Sequence, residues 1–212
     1  LHHRNDHVSV SKFYPEGTII TSGLSKWCGA GGWRLGTMII PDELEKIKQA
    51  IINVSSETFS CVSSPIQYAS VVAYQDKKYI NDYLFHSRRI LKVISDYCYE
   101  ELKNADIKLH KQDGGFYLFP DFSNHSSNLH SKGVRTSSQF CEQLLMDTGV
   151  ALLPGSAFGR PENEFTARLA YVNFDGAKAL NLSKKSKSID LSASELAEVL
   201  NPVKTGLKFL IY

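Results

Sequence analysis

The sequence predicts an α/β fold whose first part carries a glycine-rich turn and whose second part is a smaller α+β unit. Short apolar runs at residues 18–22 and 35–40 flank that turn, and such runs are typical of strands buried in an α/β sheet. Apolar residues recur at helical spacing over residues 77–103, which predicts one long amphipathic helix. After Asn104 the sequence changes to short strand candidates separated by polar segments. Together these features predict two units joined by a long helix.

We place the boundaries of the parts where the character of the sequence changes. The first part covers residues 1–75, the connecting helix 76–104 and the smaller part 105–212. A chain of 212 residues is long enough for one large domain or for parts of two, so this division is compatible with its length.

Two further helices are predicted in the first part. Asp42 and Glu43 open the earlier one, where acidic side chains favour the positive end of the helix dipole, and its apolar residues recur as far as Val54. Residues 63–74 form the later one, with Pro65 in its first turn. We expect this later helix to be buried.

The smaller part is predicted to contain short strands separated by polar connections. The strand candidates are residues 107–109, 116–120, 150–153 and 168–174. Residues 124–133 are predicted as an exposed loop and residues 183–188 as a solvated lysine–serine linker.

The helices of the smaller part are predicted from their ends. Thr136 and Gln139 have the spacing of a capping box, and Gly149 is placed to end the helix that follows. Two later helix starts are indicated by Ser192 with Glu195 and by Asn201-Pro202.

Composition excludes several classes of function. A formal net charge of +2 gives no electrostatic basis for binding nucleic acid or an anionic membrane, and no apolar run approaches the length of a membrane span. The four cysteines and seven histidines are scattered without metal-ligand spacing, which predicts free thiols and no metal site. Free thiols are typical of a reducing compartment, so we expect a cytoplasmic protein.

The chemistry is concentrated between Gly23 and Gly36. Lys26 lies in this glycine-rich segment, and Arg34 follows eight residues later. A neutral lysine amine can form a Schiff base with an aldehyde, and a neighbouring cation favours the neutral amine. A planar guanidinium binds a phosphate through paired hydrogen bonds. Pyridoxal phosphate carries an aldehyde and a phosphate on one ring, so it is the cofactor that this pair predicts.

The same segment resembles the lysine signature of the class I/II aminotransferases, with every restricted position of the pattern filled. The resemblance implies that Lys26 forms the Schiff base with pyridoxal 5′-phosphate and that Arg34 and Ser25 bind its phosphate. Gly23 stands where the family often has a serine, so Ser22 is the candidate to supply the missing hydroxyl. The fold implied is the later, lysine-bearing part of the family's large domain, followed by its smaller C-terminal α+β domain.

Arg168 is the second functional candidate, because an arginine within the strand-like run 166–171 needs a partner if it is buried. Its structural role would be an ion pair with a nearby acid. The resemblance implies instead that Arg168 binds the substrate α-carboxylate. Two segments, Pro154–Gly159 and Gly115–Pro120, resemble a turn and a strand of the family's smaller domain, and we expect them to contribute packing and shape.

The resemblance covers the second half of a family chain that is roughly twice as long. The first half would supply a helix N-terminus for the phosphate, an aromatic that stacks on the ring and an aspartate for the pyridine nitrogen, so we expect no full activity from these residues alone. The implied function is amino transfer between an amino acid and a 2-oxo acid by a homodimer. The alternatives are a carbon–sulfur lyase on the same scaffold, or a non-catalytic fragment that only binds a partner.

Overall fold

The computed structural model of the chain describes residues 2–3, 7–59 and 61–211. It divides into two compact units within one long helix: the first runs from His3 to Phe85, and the second begins at His86 and includes His2. In the described ranges no helix is both long and apolar enough to cross a membrane.

The first unit contains the glycine-rich turn between two paired strands, followed by two helices. Strand β1 pairs antiparallel with strand β2, and the register joins Ile20 to Ile39 at one end and Gly23 to Gly36 at the other. The elements are β1 (Ile20–Gly23), α1 (Leu24–Trp27), β2 (Gly36–Ile39), α2 (Glu45–Thr58) and α3 (Ser64–Ala73).

The elements of the first unit lie where they were predicted, but their predicted burial is wrong. Helix α3 has no buried residue, and Tyr68 on it is 79% exposed. Ile39 of β2 is 61% exposed. Leu24 and Leu35 are the buried hydrophobic residues within residues 7–59 and 61–85. Periodicity identifies an apolar face, but burial of that face also requires a second surface to pack against it.

The long helix α4 (Lys78–Asn104) agrees with its prediction and supplies the core of the second unit. Its predicted stripe is buried from Leu91 onward, and Ile94, Cys98 and Leu102 are fully inaccessible. The 27 residues therefore bury one face along the second half of the helix.

The second unit surrounds a small antiparallel sheet with helices. Strand β5 is central, with β3 on one side and β4 on the other. The elements after α4 are β3 (Tyr117–Leu118), α5 (Ser126–Ser131), α6 (Ser137–Thr148), β4 (Leu153–Pro154), β5 (Ala167–Ala170), α7 (Gly176–Lys185) and α8 (Ala197–Ile211).

The predicted caps of helix α6 are confirmed. The Thr136 side chain accepts a hydrogen bond from the Gln139 backbone N–H at 3.2 Å, which is one half of a capping box, while the Gln139 side chain accepts from the Arg135 N–H at 2.8 Å. The helix ends at Gly149, whose φ of 75° is the left-handed conformation that glycine adopts without strain.

Two segments predicted as exposed connections are helical. Residues 124–133 contain helix α5, after a turn in which the Asp121 carboxylate accepts a hydrogen bond from the Ser123 N–H at 2.8 Å. The start of the predicted linker lies in α7, where Ser183 is fully buried and its hydroxyl lies 2.9 Å from Nδ1 of His86. Most residues of both segments are exposed as expected, but buried Ser183 has a partner 97 positions away in the sequence.

Two further element predictions are corrected. Pro202 does not start a separate helix, because α8 continues through it. Residues 107–109 form no strand, and their contribution to the sheet is a single bridge between Lys108 and Asp121.

Candidate functional site

The lysine turn of the first unit is closed by backbone hydrogen bonds at its base. The Leu24 N–H donates to the Leu35 carbonyl at 3.2 Å, which extends the β1–β2 ladder by one step. Leu24 and Leu35 are 3% and 6% exposed, so both ends of the turn are fixed by burial. The residues between them, including Lys26, therefore project from a closed base.

Within the turn the chain folds back onto helix α1. The Ala30 N–H donates to the Leu24 carbonyl at 3.1 Å, which brings the glycine segment over α1. Gly29 has a φ of +67°, and a Cβ there would lie 3.0 Å from the Tyr83 hydroxyl oxygen. Only glycine fits this position without strain or displacement of a neighbour. The backbone that follows Lys26 is thereby held close to helix α1.

Lys26 and Arg34 are both exposed on this turn. Lys26 is the third residue of α1. Arg34 has a φ of 55°, and its Nη1 donates to the Gly31 carbonyl at 2.8 Å. In the part of the chain that the structure describes this is the one hydrogen bond of the guanidinium, so other N–H groups are available to an anion.

The two candidate serines differ in their surroundings. Ser25 is half-buried in α1, and a Cβ at Gly31 would lie 3.9 Å from the Ser25 Cβ, so the glycine segment covers this serine closely. Ser22 lies in β1, where its hydroxyl accepts a hydrogen bond from the hydroxyl of Tyr74 at 3.3 Å. Sequence reasoning missed Tyr74, since a single tyrosine at the end of a helix carries no motif.

Arg168 lies on the central strand β5 of the second unit. Its neighbours Ala167 and Leu169 are buried, at 0% and 7% exposure, so strand alternation puts Arg168 on the opposite face of the sheet. There it is half-buried and pairs in register with Leu153 of β4.

Two aromatic rings hold the Arg168 side chain. Its guanidinium carbon lies 4.4 Å from the centre of the Tyr117 ring and 4.8 Å from that of Phe158. Among the described residues no carboxylate forms an ion pair with Arg168. Both rings belong to segments from which only packing was expected, and the resemblance of these segments to the family's smaller domain was the available signal.

A short turn carries Phe158 to this position. Residues 155–158 form a helical turn, and the Gly155 N–H donates to the Thr166 carbonyl at 2.7 Å. A Cβ on Gly155 would overlap the Thr166 hydroxyl, so only glycine allows the turn to approach β5 this closely. The Phe158 ring therefore has a fixed distance from Arg168.

A buried polar network supports the other end of β5. The Tyr171 hydroxyl donates to the Gly115 carbonyl at 3.1 Å and also accepts from the Gln112 side-chain amide. That amide donates in addition to the Ser95 hydroxyl of α4 at 2.9 Å. Burial raises the pKa of Tyr171 well above its usual range, so its phenol stays protonated and acts as a donor.

Comparison with known proteins identifies the family. The family model "Aminotransferase class I and II" matches residues 4–175. The chain therefore belongs to the class I and II aminotransferases, and the resemblance of the lysine turn is confirmed.

Curated relatives and solved structures agree with this assignment. The chain is 34% identical over 152 residues to the probable N-acetyl-LL-diaminopimelate aminotransferase of Bacillus subtilis (strain 168), covering 72% of this chain and 35% of the relative. It is 32% identical over 170 residues to the aspartate aminotransferase of Geobacillus stearothermophilus, covering 78% and 40%. The chain thus spans well under half the length of these two relatives.

The fold is confirmed by structural neighbours. A double mutant of Thermus thermophilus aspartate aminotransferase superposes with a TM-score of 0.68 at 22% identity, covering 94% of this chain and 46% of that one. Aspartate aminotransferase from Thermotoga maritima superposes with a TM-score of 0.57 at 28% identity, covering 91% and 40%. The predicted α/β fold of the lysine-bearing family is therefore correct.

The donor set of the lysine turn fits the family's cofactor. Aminotransferases of this family use pyridoxal 5′-phosphate. The turn presents an amine on Lys26, an anchored guanidinium on Arg34 and the hydroxyls of Ser25 and Ser22. An amine matches the aldehyde, and a cation with hydroxyl donors matches a phosphate.

Proposed function

We propose that this chain forms part of a pyridoxal-phosphate-dependent aminotransferase that transfers an amino group between an amino acid and a 2-oxo acid. The observation that carries the proposal is the closed turn that carries Ser25, Lys26 and Arg34, with the Arg34 guanidinium anchored on the Gly31 carbonyl. The relatives named above are aminotransferases, which favours amino transfer over carbon–sulfur cleavage.

Lys26 is the residue to which we assign covalent binding of the cofactor aldehyde. Arg34 and Ser25 bind the phosphate, with Ser22 as a further donor. When bound, the cofactor supplies an electron sink for the bond that breaks at the substrate α-carbon. The Lys26 amine accepts the α-carbon proton as a general base, and the resulting ammonium returns a proton as a general acid.

Arg168 is the residue to which we assign the substrate α-carboxylate. A guanidinium fits a carboxylate through two parallel hydrogen bonds. Its guanidinium carbon lies over the rings of Tyr117 and Phe158, and a cation–π contact uses no N–H donor. The rings thus orient the cation without neutralising it, which a carboxylate neighbour would do.

The family and the partial coverage of its members support a proposal for the assembly. We propose that the complete enzyme is a cytoplasmic homodimer with amino-acid and 2-oxo-acid substrates. Because this chain spans 35% and 40% of the two curated relatives, we propose that turnover also uses residues outside it.

Borohydride trapping tests the assignment directly. The chain is incubated with pyridoxal phosphate, reduced and digested, and the labelled peptides are mapped. We expect the label to concentrate on Lys26, and Lys26→Ala to remove that label. The matched control is Lys46→Arg, since Lys46 is an exposed lysine of α2 with no assigned role. A label spread over surface lysines without enrichment at Lys26 would overturn the proposal.

The two catalytic alternatives are separated in the complete enzyme. Amino transfer needs a 2-oxo acid as acceptor for continued turnover, whereas a lyase releases its 2-oxo product without one. We expect turnover to depend on the acceptor, and acceptor-independent turnover would contradict the proposed reaction.

A further inference from the structure

Tyr74 contacts both strands that flank the lysine turn. Tyr74 directly follows helix α3. Its hydroxyl oxygen lies 2.9 Å from the Thr37 hydroxyl oxygen and 3.3 Å from the Ser22 hydroxyl oxygen. Ser22 and Thr37 are register partners across β1 and β2. The phenol thus lies across one cross-strand pair.

The hydroxyls of Thr37, Tyr74 and Ser22 form a short hydrogen-bonded chain, and Tyr74 in its middle determines which hydroxyl donates to which. A phenol has one proton, and Tyr74 donates it to Ser22, so Thr37 is the donor to Tyr74. The Ser22 hydroxyl then keeps its own proton for another acceptor, and the described residues offer it none.

The Tyr74 ring also supports the helix that carries the reactive lysine. Its centre lies 5.3 Å from that of the Trp27 ring, with the planes tilted by 57°. Trp27 directly follows Lys26 in α1. One side chain therefore contacts the lysine-bearing helix and orients the hydroxyl of Ser22.

We propose that Tyr74 is a positioning residue for the cofactor phosphate, holding Ser22 with its proton directed toward a phosphate oxygen. This inference rests on the proposed function. It also gives a reason why Gly23 is tolerated where the family often has a serine, since Ser22 supplies a hydroxyl from the adjacent position.

The experiment separates binding of the phosphate from binding of the aldehyde. The chain is trapped with borohydride in the presence of either pyridoxal phosphate or pyridoxal, which lacks the phosphate, and the Lys26 label is quantified for each. Ser22→Ala and Tyr74→Phe are each expected to lower the ratio of the two labels about threefold to tenfold, the size of one ordinary hydrogen bond. Labelling by pyridoxal alone should stay unchanged, which a general loss of structure would not allow.

A double variant tests whether the two residues act together. Because Tyr74 is proposed to act through Ser22, the double variant should lower the ratio of the two labels no further than Ser22→Ala alone. The matched control is Tyr68→Phe, on the same helix and 79% exposed, which should leave the ratio unchanged. The thermal unfolding midpoint of each variant is measured alongside.

A second readout follows the contact with Trp27 without any cofactor. In a Trp33→Phe background Trp27 is the one tryptophan, because the chain has two. Tyr74→Leu should increase quenching of its fluorescence by acrylamide about twofold, since the ring that covers it is removed.

The outcomes distinguish this inference from the proposed function. An unchanged label ratio in Tyr74→Phe, losses that add in the double variant, or unchanged Trp27 quenching would overturn the role of Tyr74 alone. Failure of the unsubstituted chain to label Lys26 with either aldehyde would overturn the proposed function and this inference with it.

Discussion

The guanidinium carbon of Arg168 lies 4.4 Å above the centre of the Tyr117 ring. The two residues are on adjacent strands, where Tyr117 of β3 pairs with Ala170 of β5. A ring attracts the cation through its negative face and takes no N–H donor from it. The second unit therefore holds the positive charge of Arg168 against two aromatic rings.

The first prediction measures this contact. In a double-mutant cycle of Tyr117→Leu and Arg168→Met, we expect a coupling of about 0.5–1 kcal/mol in the free energy of unfolding by urea, the size of a half-exposed cation–π pair. As a control, Tyr99→Leu with Arg168→Met should show no coupling, because the Tyr99 ring is instead contacted by Lys103 and Lys111. Coupling of equal size in both cycles would contradict the contact.

The second prediction separates stability from binding at Arg34. Its φ of 55° is left-handed, a conformation that costs an L-residue roughly 1–2 kcal/mol. Arg34→Gly removes that strain whereas Arg34→Ala keeps it, so the glycine variant should be about 1 kcal/mol more stable than the alanine variant in urea. In both variants the ratio of Lys26 labelling by pyridoxal phosphate to labelling by pyridoxal should fall at least tenfold.

Asp106 provides the matched control, since it is the other described non-glycine residue with positive φ, at 59°. Asp106→Gly and Asp106→Ala should differ in stability in the same direction as the Arg34 pair. Neither should change the preference for the phosphate-bearing aldehyde. A similar loss of preference at Asp106 would mean that backbone change, and not the guanidinium, accounts for the effect.

Local signals in the sequence were sufficient for much of the fold. The long helix was predicted over residues 77–103 and spans Lys78–Asn104, because an amphipathic stripe repeats many times over that length. The cap at Thr136 was also predictable, since it depends on residues within one turn. Burial of α3 was predicted wrongly, because burial depends on surfaces that periodicity does not describe.

The candidate site was predictable only where chemistry and sequence spacing coincide. Lys26 and Arg34 lie close in sequence, so a motif could join them. The contacts of Tyr74 with Ser22 and of Tyr117 with Arg168 each join residues about fifty positions apart. Strand register and helix packing create such contacts, and a single sequence carries no local mark of either. The assigned roles of Lys26, Ser25, Arg34, Ser22 and Arg168 stay predictions.

The third prediction concerns the turn that carries Phe158. Gly155→Ala should destabilise the chain by about 1–3 kcal/mol, because the new methyl group would overlap the buried Thr166 side chain. Thr166→Ala should recover part of this loss when combined with it, since the overlapping hydroxyl is removed. Gly176→Ala is the control, with no atom within 4 Å of its Cβ, and should change stability by less than about 0.5 kcal/mol. Urea unfolding of the four variants checks the series.

The fourth prediction is a pH dependence that originates at Asp96 on α4. Burial alone would raise the pKa of this carboxyl, but hydrogen bonds from Lys92 and Lys111 outweigh it and hold the pKa below its usual value. The nitrogens lie 2.7 Å and 2.9 Å from the carboxylate oxygens. A carboxyl whose pKa is lower in the folded state stabilises the fold above its ordinary pKa of about 4, and this contribution disappears as the pH falls through the folded pKa.

Asp96→Asn should therefore lower the urea midpoint at pH 6, and the difference from the unsubstituted chain should shrink as the pH falls below about 4, the ordinary pKa of aspartate. Asp82→Asn, at an exposed position earlier on the same helix, is the control and should change the urea midpoint at pH 6 only slightly. Lys111 directly precedes Gln112, whose amide bonds Ser95 and Tyr171, so the ion pair also fixes the segment that supports the strand of Arg168. If the difference in urea midpoint between Asp96→Asn and the unsubstituted chain instead grew toward low pH, the Asp96 carboxylate would be destabilising. Lys92 and Lys111 would then not be its effective partners.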